Sequence, residues 1–303
     1  MKSHTQESKK LTTSATIITI ILVLICIIWV LPTVGIFVTS FRTADAASNT
    51  GWWRVFSTLN SLTLDNYDQV LFGQRYSVGN MHGTKVIRGA TMASAFLSSI
   101  TVTLPAVIIP IFIAAAAAYG FAWLDFKGRN LLFAMIIALL VVPLQISLIP
   151  VLKDYQKLGL NGTYLGIWLA HAGFGLPLAT YMMFNYISSI PRSILESSFI
   201  DGASHFTTFV RLILPLSVPA IASFAIFQFI WVWNDMLVSL VFLSGKQNFE
   251  VVTVRLMNMA GTRGTDWHLL TAGAFVSMIL PLGVFLGLQK FFVKGLLAGS
   301  VKG

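Results

Sequence analysis

Long apolar runs separated by short polar connections dominate the chain, and their length predicts helices that cross a bilayer. About 20 mostly apolar residues span the hydrocarbon core as a helix, and inside that core only helices or closed barrels satisfy every backbone polar group. Six runs reach the length: Ala15 to Val38, Ala95 to Tyr119 within the charge-free interval Gly89 to Leu124, Leu131 to Leu152, Leu165 to Tyr186, Leu216 to Leu243, and Leu269 to Gln289. Pro32, Pro105, Pro110, Pro143, Pro177 and Pro281 fall in or near them, so kinks or breaks are expected in several. The pattern gives an all-α integral membrane protein with six transmembrane helices.

The polar stretches organise the remainder. Residues 1–14 form an N-terminal tail and 15–303 a single membrane domain, in which 42–88 is an external insertion, 187–215 a loop and 290–303 a C-terminal tail. Lys9 and Lys10 precede the first run as in a signal peptide, but the run is too long and lacks a small-x-small cleavage site, so it reads as a retained span. Lys2, Lys9 and Lys10 against Glu7 favour a cytoplasmic N-terminus, and six crossings return the C-terminus to that side. Dividing the 20 Lys and Arg residues by loop puts equal numbers on the two faces, so the first-span flank and the 187–215 loop carry the orientation. The insertion holds Trp52, Trp53 and Leu64-Asp65-Asn66-Tyr67; contact with an external partner and an irregular cap over the helix ends stay open as readings.

Composition narrows the class. With 56% hydrophobic and 10% charged residues, a 303-residue chain has too little polar surface for a soluble globule. The net charge of +9 suits an anionic membrane surface rather than nucleic acid. Cys26, the single cysteine, excludes an intramolecular disulfide and a Cys-based metal site. His4, His82, His171, His205 and His268 are scattered without an H-E-x-x-H pair, so no metal site is expected. G-x-x-x-x-G-K-[ST] and G-x-S-x-G are both missing, so no catalysis is expected of this chain. Energised work would draw on a partner or an ion gradient.

Polar groups inside the runs are few. Asp235, beside Asn234 and between Trp231 and Trp233, is the one acidic residue within a run. Counted from Leu216 it lies about 19 residues along, roughly 28 Å at 1.5 Å per residue, toward the outer face. It reads either as the lining of an outer vestibule or as a packing hydrogen bond. Gln145, Ser147, His171, Thr180, Asn185 and Gln228 offer uncharged donors and acceptors beside aromatic rings, which suits a neutral polyhydroxylated solute. Such residues more often simply join helices. Gln145, Asn185, Gln228, Asn234 and Asp235 are the candidate pathway residues.

The segment from Pro191 to Pro215 interrupts the apolar runs with P-R-S-I-L-E-S-S-F-I-D-G-A-S-H-F-T-T-F-V-R-L-I-L-P. Ser193 and Glu196 have capping-box spacing, and Gly202 after Asp201 permits a turn into a second helix. A docking element for a soluble partner is expected. A Glu, two small residues, Asp-Gly-Ala and then Leu-Ile-Leu-Pro resemble the EAA loop of permease subunits in binding-protein-dependent ABC importers. Ser197 and Ser198 stand where that family usually has alanines. Ala118-Tyr119-Gly120-Phe121-Ala122, Gly128-Arg129-Asn130, Pro143-Leu144-Gln145, Leu158-Gly159-Leu160-Asn161-Gly162-Thr163 and Trp233-Asn234-Asp235 resemble the carbohydrate branch. The tail from Phe292 to Gly303 is similar to the end of the maltose-type second permease, and within the branch the α-glucoside and glucosylglycerol permeases look nearest.

The resemblance implies the type I ABC importer permease architecture in a bacterial-type inner membrane, and half of a translocation pathway. A second homologous permease, a dimer of cytoplasmic ATPase subunits carrying ATP and Mg, an external solute-binding protein and membrane lipid would be its partners. Arg192, Glu196, Ser197, Ser198, Asp201, Gly202, Ala203 and Ser204 would couple to the ATPase, with Glu196 capping its helix and reaching a basic residue there. Gly295, Gly299 and Lys302 would contact the ATPase from the tail. The alternatives are an ion-coupled carrier or channel for a neutral solute, an ABC permease for a non-sugar substrate, and a membrane scaffold.

Overall fold

The computed structural model describes residues 2–73, 75–80, 83–88, 91–243, 250–260 and 266–298. In chain order the elements are α1 (Lys2–Ser40), α2 (Ala44–Asn49), α3 (Asp65–Phe72), β1 (Arg75–Asn80), β2 (Gly83–Arg88), α4 (Met92–Trp123), α5 (Arg129–Ala138), α6 (Leu144–Lys157) and α7 (Tyr164–Ile187). Then follow α8 (Arg192–Ile200), α9 (His205–Thr208), α10 (Leu214–Leu216), α11 (Val218–Asn234), α12 (Leu237–Phe242), α13 (Val252–Ala260) and α14 (Trp267–Ala298). Short 3-10 turns occupy Trp52–Ser57, Leu59–Ser61 and Leu139–Val141, and a π-helical turn, Phe209–Ile213, joins α9 to α10. Among the described residues the fold is all-α apart from one antiparallel hairpin, β1 with β2, in which Arg75 pairs with Arg88 and Asn80 with Gly83.

Among the described residues, four helical stretches are long and apolar enough to cross a membrane: Ala15–Ser40, Met92–Trp123, Tyr164–Ile187 and Trp267–Lys290. Two bent pairs bring the number to six if each is one span: Arg129–Val141 with Leu144–Lys157, bent by 106°, and His205–Leu216 with Val218–Asn234, bent by 69°. The runs Leu131 to Leu152 and Leu216 to Leu243 are therefore not straight helices. Pro143 lacks an N–H and holds an extended backbone (φ −63°, ψ 126°), which ends the first helix of its pair. The second run breaks again at Asp235, where the backbone is extended (ψ 132°). Elsewhere the expected breaks do not occur, for Pro32, Pro105, Pro110, Pro177 and Pro281 lie inside continuous helices.

The chain forms two compact units, residues 1–91 with 259–276, and 92–258 with 277–303. In the first, the end of α1 is knitted to the insertion. Ser40 Oγ lies 2.7 Å from Tyr67 Oη, and Asn66 Nδ2 donates to the carbonyls of Ser40 (2.9 Å) and Arg42 (2.8 Å). Arg42 is buried and donates to the Thr50 carbonyl at 3.0 Å, and burial lowers its pKa. Trp52 packs where a Cβ on Gly35 would otherwise sit, 2.7 Å from its Nε1, while Trp53 stays exposed.

In the second unit, α4 packs along α7. Ala114, Ala115 and Ala118 are buried and let the backbones approach, meeting Ala179, Met183, Ile187 and Phe224. A second core joins Val102, Ala106, Ile167, Ala170, Val232, Val238 and Phe242. Indole N–H groups cross between helices, from Trp168 to the Thr101 carbonyl (2.8 Å) and from Trp233 to that of Ser277 (3.1 Å). The Leu158 to Thr163 motif is the turn into α7. Gly159 and Gly162 both take φ +69°, and Thr163 caps α7 by accepting from Gly166 N at 3.0 Å.

Candidate functional site

The 187–215 loop folds as a compact two-helix element. Its first helix, α8, begins two residues earlier than a Ser193 cap requires. Pro191 holds the extended N-cap conformation (φ −59°, ψ 135°), so Ser193 is already helical and no side chain caps the end. The expected capping box therefore does not form, and Glu196 points from an exposed position instead of capping. The second helix does have a cap: Ser204 Oγ accepts from Thr207 N at 3.2 Å.

Between the helices the expectation for Gly202 holds. Its φ is +81°, with Gly202 N donating to the Phe199 carbonyl and Ala203 N to that of Ser198, both at 3.0 Å. That pair of bonds is a Schellman ending, which needs a left-handed residue at this position. A Cβ on Gly202 would meet nothing within 4 Å, so the demand for glycine is conformational rather than steric.

The two serines have distinct roles. Ser197 Oγ bonds back to the Ile194 carbonyl (2.9 Å) and stays exposed. Ser198 Oγ bonds the Leu195 carbonyl (2.8 Å) and also lies 3.0 Å from Thr208 Oγ1, a strut between α8 and the second helix that alanine could not make. Leu195 and Ile213 anchor the element in the α4–α7 core, both nearly fully buried. Ile200 and Phe206 project outward, 85% and 74% exposed, next to Asp201 and Gly202. Arg192, Glu196 and Asp201 are also exposed, so the outer face mixes charge with apolar groups.

One tie was not legible in the sequence. Tyr119 Oη, on α4, lies 2.9 Å from His205 Nδ1, and Phe199 packs edge-on against the same imidazole at 4.8 Å. Tyr119 also meets Phe209 at 5.3 Å. No spacing rule joins residues 86 positions apart.

The five candidate pathway residues are not gathered at one place. Gln145 and Asn185 are exposed on α6 and α7, and Asn234 bonds back to the Ile230 carbonyl at 2.8 Å. Gln228 and Asp235, however, meet at His171, a junction that no spacing in the sequence marks. Gln228 Nε2 donates to the His171 carbonyl (3.2 Å), and Asp235 Oδ2 lies 3.4 Å from His171 Nε2, without hydrogen-bond alignment. The carboxylate also accepts from Val238 N (3.2 Å) and Ser239 N (3.0 Å), which restarts the helix as α12. Thr253 Oγ1 donates to the Asp235 carbonyl at 2.6 Å, adding α13 to the junction. Gly295 lies in the last turns of α14, and Gly299 and Lys302 are outside the described residues. Among the described residues no three of His, Cys, Asp and Glu come together.

Comparison with known proteins agrees with this architecture. Residues 6–297 match the family described as binding-protein-dependent transport system inner membrane component. The chain is 52% identical over 281 residues to the osmoprotective compounds uptake permease protein GgtD of Synechocystis, covering 92% of this chain and 89% of that one. It is 51% identical over 258 residues to the alpha-glucoside transport system permease protein AglG of Rhizobium meliloti, covering 82% of this chain and 64% of that relative. Among solved structures, a chain of a bacterial ABC transporter that imports the acidic polysaccharide alginate superimposes with a TM-score of 0.70 at 19% identity, over 93% of this chain and 97% of that one.

Proposed function

Since the chain belongs to the inner-membrane components of binding-protein-dependent transport systems, we propose that it forms half of the translocation pathway of an ATP-driven importer for a neutral α-glucoside or glucosylglycerol-like osmoprotectant. The observation that carries the reading is the two-helix element of residues 192–208, braced internally by Ser198 and Thr208 and tied to α4 through His205 and Tyr119. A rigid element joined directly to a span transmits displacement; a flexible loop would absorb it. Its solvent face, with Ile200, Phe206, Arg192, Glu196 and Asp201, suits a cleft on a soluble partner.

The chain is a non-catalytic permease subunit, so the work comes from elsewhere. A second permease would complete the pathway, a dimer of ATPase subunits would bind ATP and Mg, and an external binding protein would deliver the solute. A solved bacterial alginate ABC transporter, similar to this chain with a TM-score of 0.61 at 14% identity, is in complex with an alginate pentasaccharide-bound periplasmic protein. ATP-bound and nucleotide-free ATPase states would hold the 192–208 element differently, and that difference in binding free energy would bias the bundle between two arrangements. The N- and C-termini would share the cytoplasmic face with this element.

The test is uptake of a labelled α-glucoside by the reconstituted complex. Transport that requires both ATP and the binding protein is expected. Uptake that persists without ATP and follows an imposed proton gradient would overturn the proposal.

A further inference from the structure

We infer that this subunit carries its own subsite for a pyranose ring: the cavity of about 620 Å³ between the α5–α6 elbow, α7 and α11, with the Gln228 carboxamide oxygen as its oriented acceptor. The inference rests on the importer reading above and deepens it by naming where this chain touches the solute. The volume falls within the roughly 300–1,000 Å³ of small-molecule sites. Aromatic walls come from Tyr155, Phe174, Phe227 and Trp231, and polar groups from Ser147 and Gln228. Among the described residues no Asp, Glu, Lys, Arg or His lines it, so the cavity suits a neutral ligand.

The geometry of Gln228 makes the site specific. The side chain is only 3% exposed, and its Nε2 donates to the carbonyls of Ala106 and His171, each at 3.2 Å. Two carbonyl partners permit one amide orientation, because a flip would set oxygen against oxygen. The carboxamide lies flat against Gly175, a wall residue, where a Cβ would come within 2.4 Å of Oε1 and 2.5 Å of Nε2. No described group donates to that oxygen. The oxygen is not shut away, for it keeps some open surface in a residue that lines the cavity, and a sugar hydroxyl is a donor that could use it. The apolar C–H face of the ring would pack on Trp231, which is itself braced edge-on against the buried His171 at 5.4 Å.

The experiment uses the complete importer in nanodiscs with Cys26→Ala, which removes this chain's single thiol, and follows labelling on this chain alone. Sucrose and glucosylglycerol serve as probes. Either sugar is expected to slow modification of Ser147→Cys by a small thiol reagent about fivefold or more, the protection given by a site mostly occupied at saturating ligand. Ile146→Cys, the adjacent residue outside the cavity wall, is expected to react at the same rate with and without sugar. Gly175→Ala, by displacing the Gln228 carboxamide as a whole, is expected to raise the transport KM about five- to tenfold, the equivalent of one lost hydrogen bond to the sugar, and to raise KM more than it lowers kcat. If Gly175→Ala does not assemble, the protection assay decides alone. A transporting complex in which sugar leaves the Ser147→Cys rate unchanged overturns the subsite and leaves the importer reading standing. A wild-type complex that takes up neither sugar overturns the importer reading for these solutes, and the subsite falls with it.

Discussion

Glycines that look alike in the sequence do opposite work in the fold. Gly166 sits where a Cβ would lie 2.2 Å from the Leu160 carbonyl oxygen, and both atoms belong to backbone fixed by the Thr163 cap. Gly166→Ala should therefore destabilise by about 2–3 kcal/mol, at the upper end of overpacking costs. A fall in the thermal midpoint of the purified protein would register it, with Gly173→Ala as the control, since a Cβ at Gly173 meets nothing within 4 Å. Gly202 differs, because its cost lies in φ alone. Gly202→Ala should cost about 1–2 kcal/mol, the left-handed penalty of an L-residue, and a bulky replacement should leave the complex folded while transport per ATP falls. Normal coupling in such a variant would dismiss Gly202 from the coupling role. Its place was legible because Asp-Gly-Ala after a short helix is a local signal. The His205–Tyr119 tie and the His171 junction were not, since they join residues that only packing brings together.

At the scale of elements, helix ends show which local rules held. Ser193 with Glu196 matches a capping box in spacing, yet Pro191 starts the helix two residues too early for it. Ser204, with no acidic residue three positions on, is the hydroxyl that caps. Ser204→Ala should then cost about 1 kcal/mol of stability, a typical loss for an N-cap, while Ser193→Ala should be neutral. Thermal unfolding of the two variants side by side checks this, and equal losses would restore the capping box. Proline likewise marks a break less reliably in a span than in a soluble helix. A bilayer span tolerates proline where neighbouring helices satisfy the freed carbonyl, and among the described residues the two bent pairs break at Pro143 and in the Pro215–Pro219 region. The break at Asp235 follows from a carboxylate capping the next helix, which hydropathy does not report.

For the whole molecule, hydropathy placed all six apolar runs, because crossing a bilayer constrains length and polarity so strongly. It did not fix whether the bent pairs cross. The portion Arg129–Val141 rises only about 20 Å at 1.5 Å per residue, short of the hydrocarbon thickness, and the 106° turn follows it. If both bent pairs cross, Ser197 shares a face with the N-terminal tail; if both are re-entrant, four crossings remain and Ser197 lies opposite that tail. The C-terminus falls on the N-terminal side either way, so a reporter at the chain's end cannot distinguish the two. Sidedness of the 192–208 element can. In a Cys26→Ala background, Lys10→Cys and Ser197→Cys should both react with an impermeant maleimide from the same face, in inverted vesicles and not in right-side-out ones. Labelling of the two from opposite faces would place the element away from any cytoplasmic ATPase, and the proposed route of force into the bundle would fail.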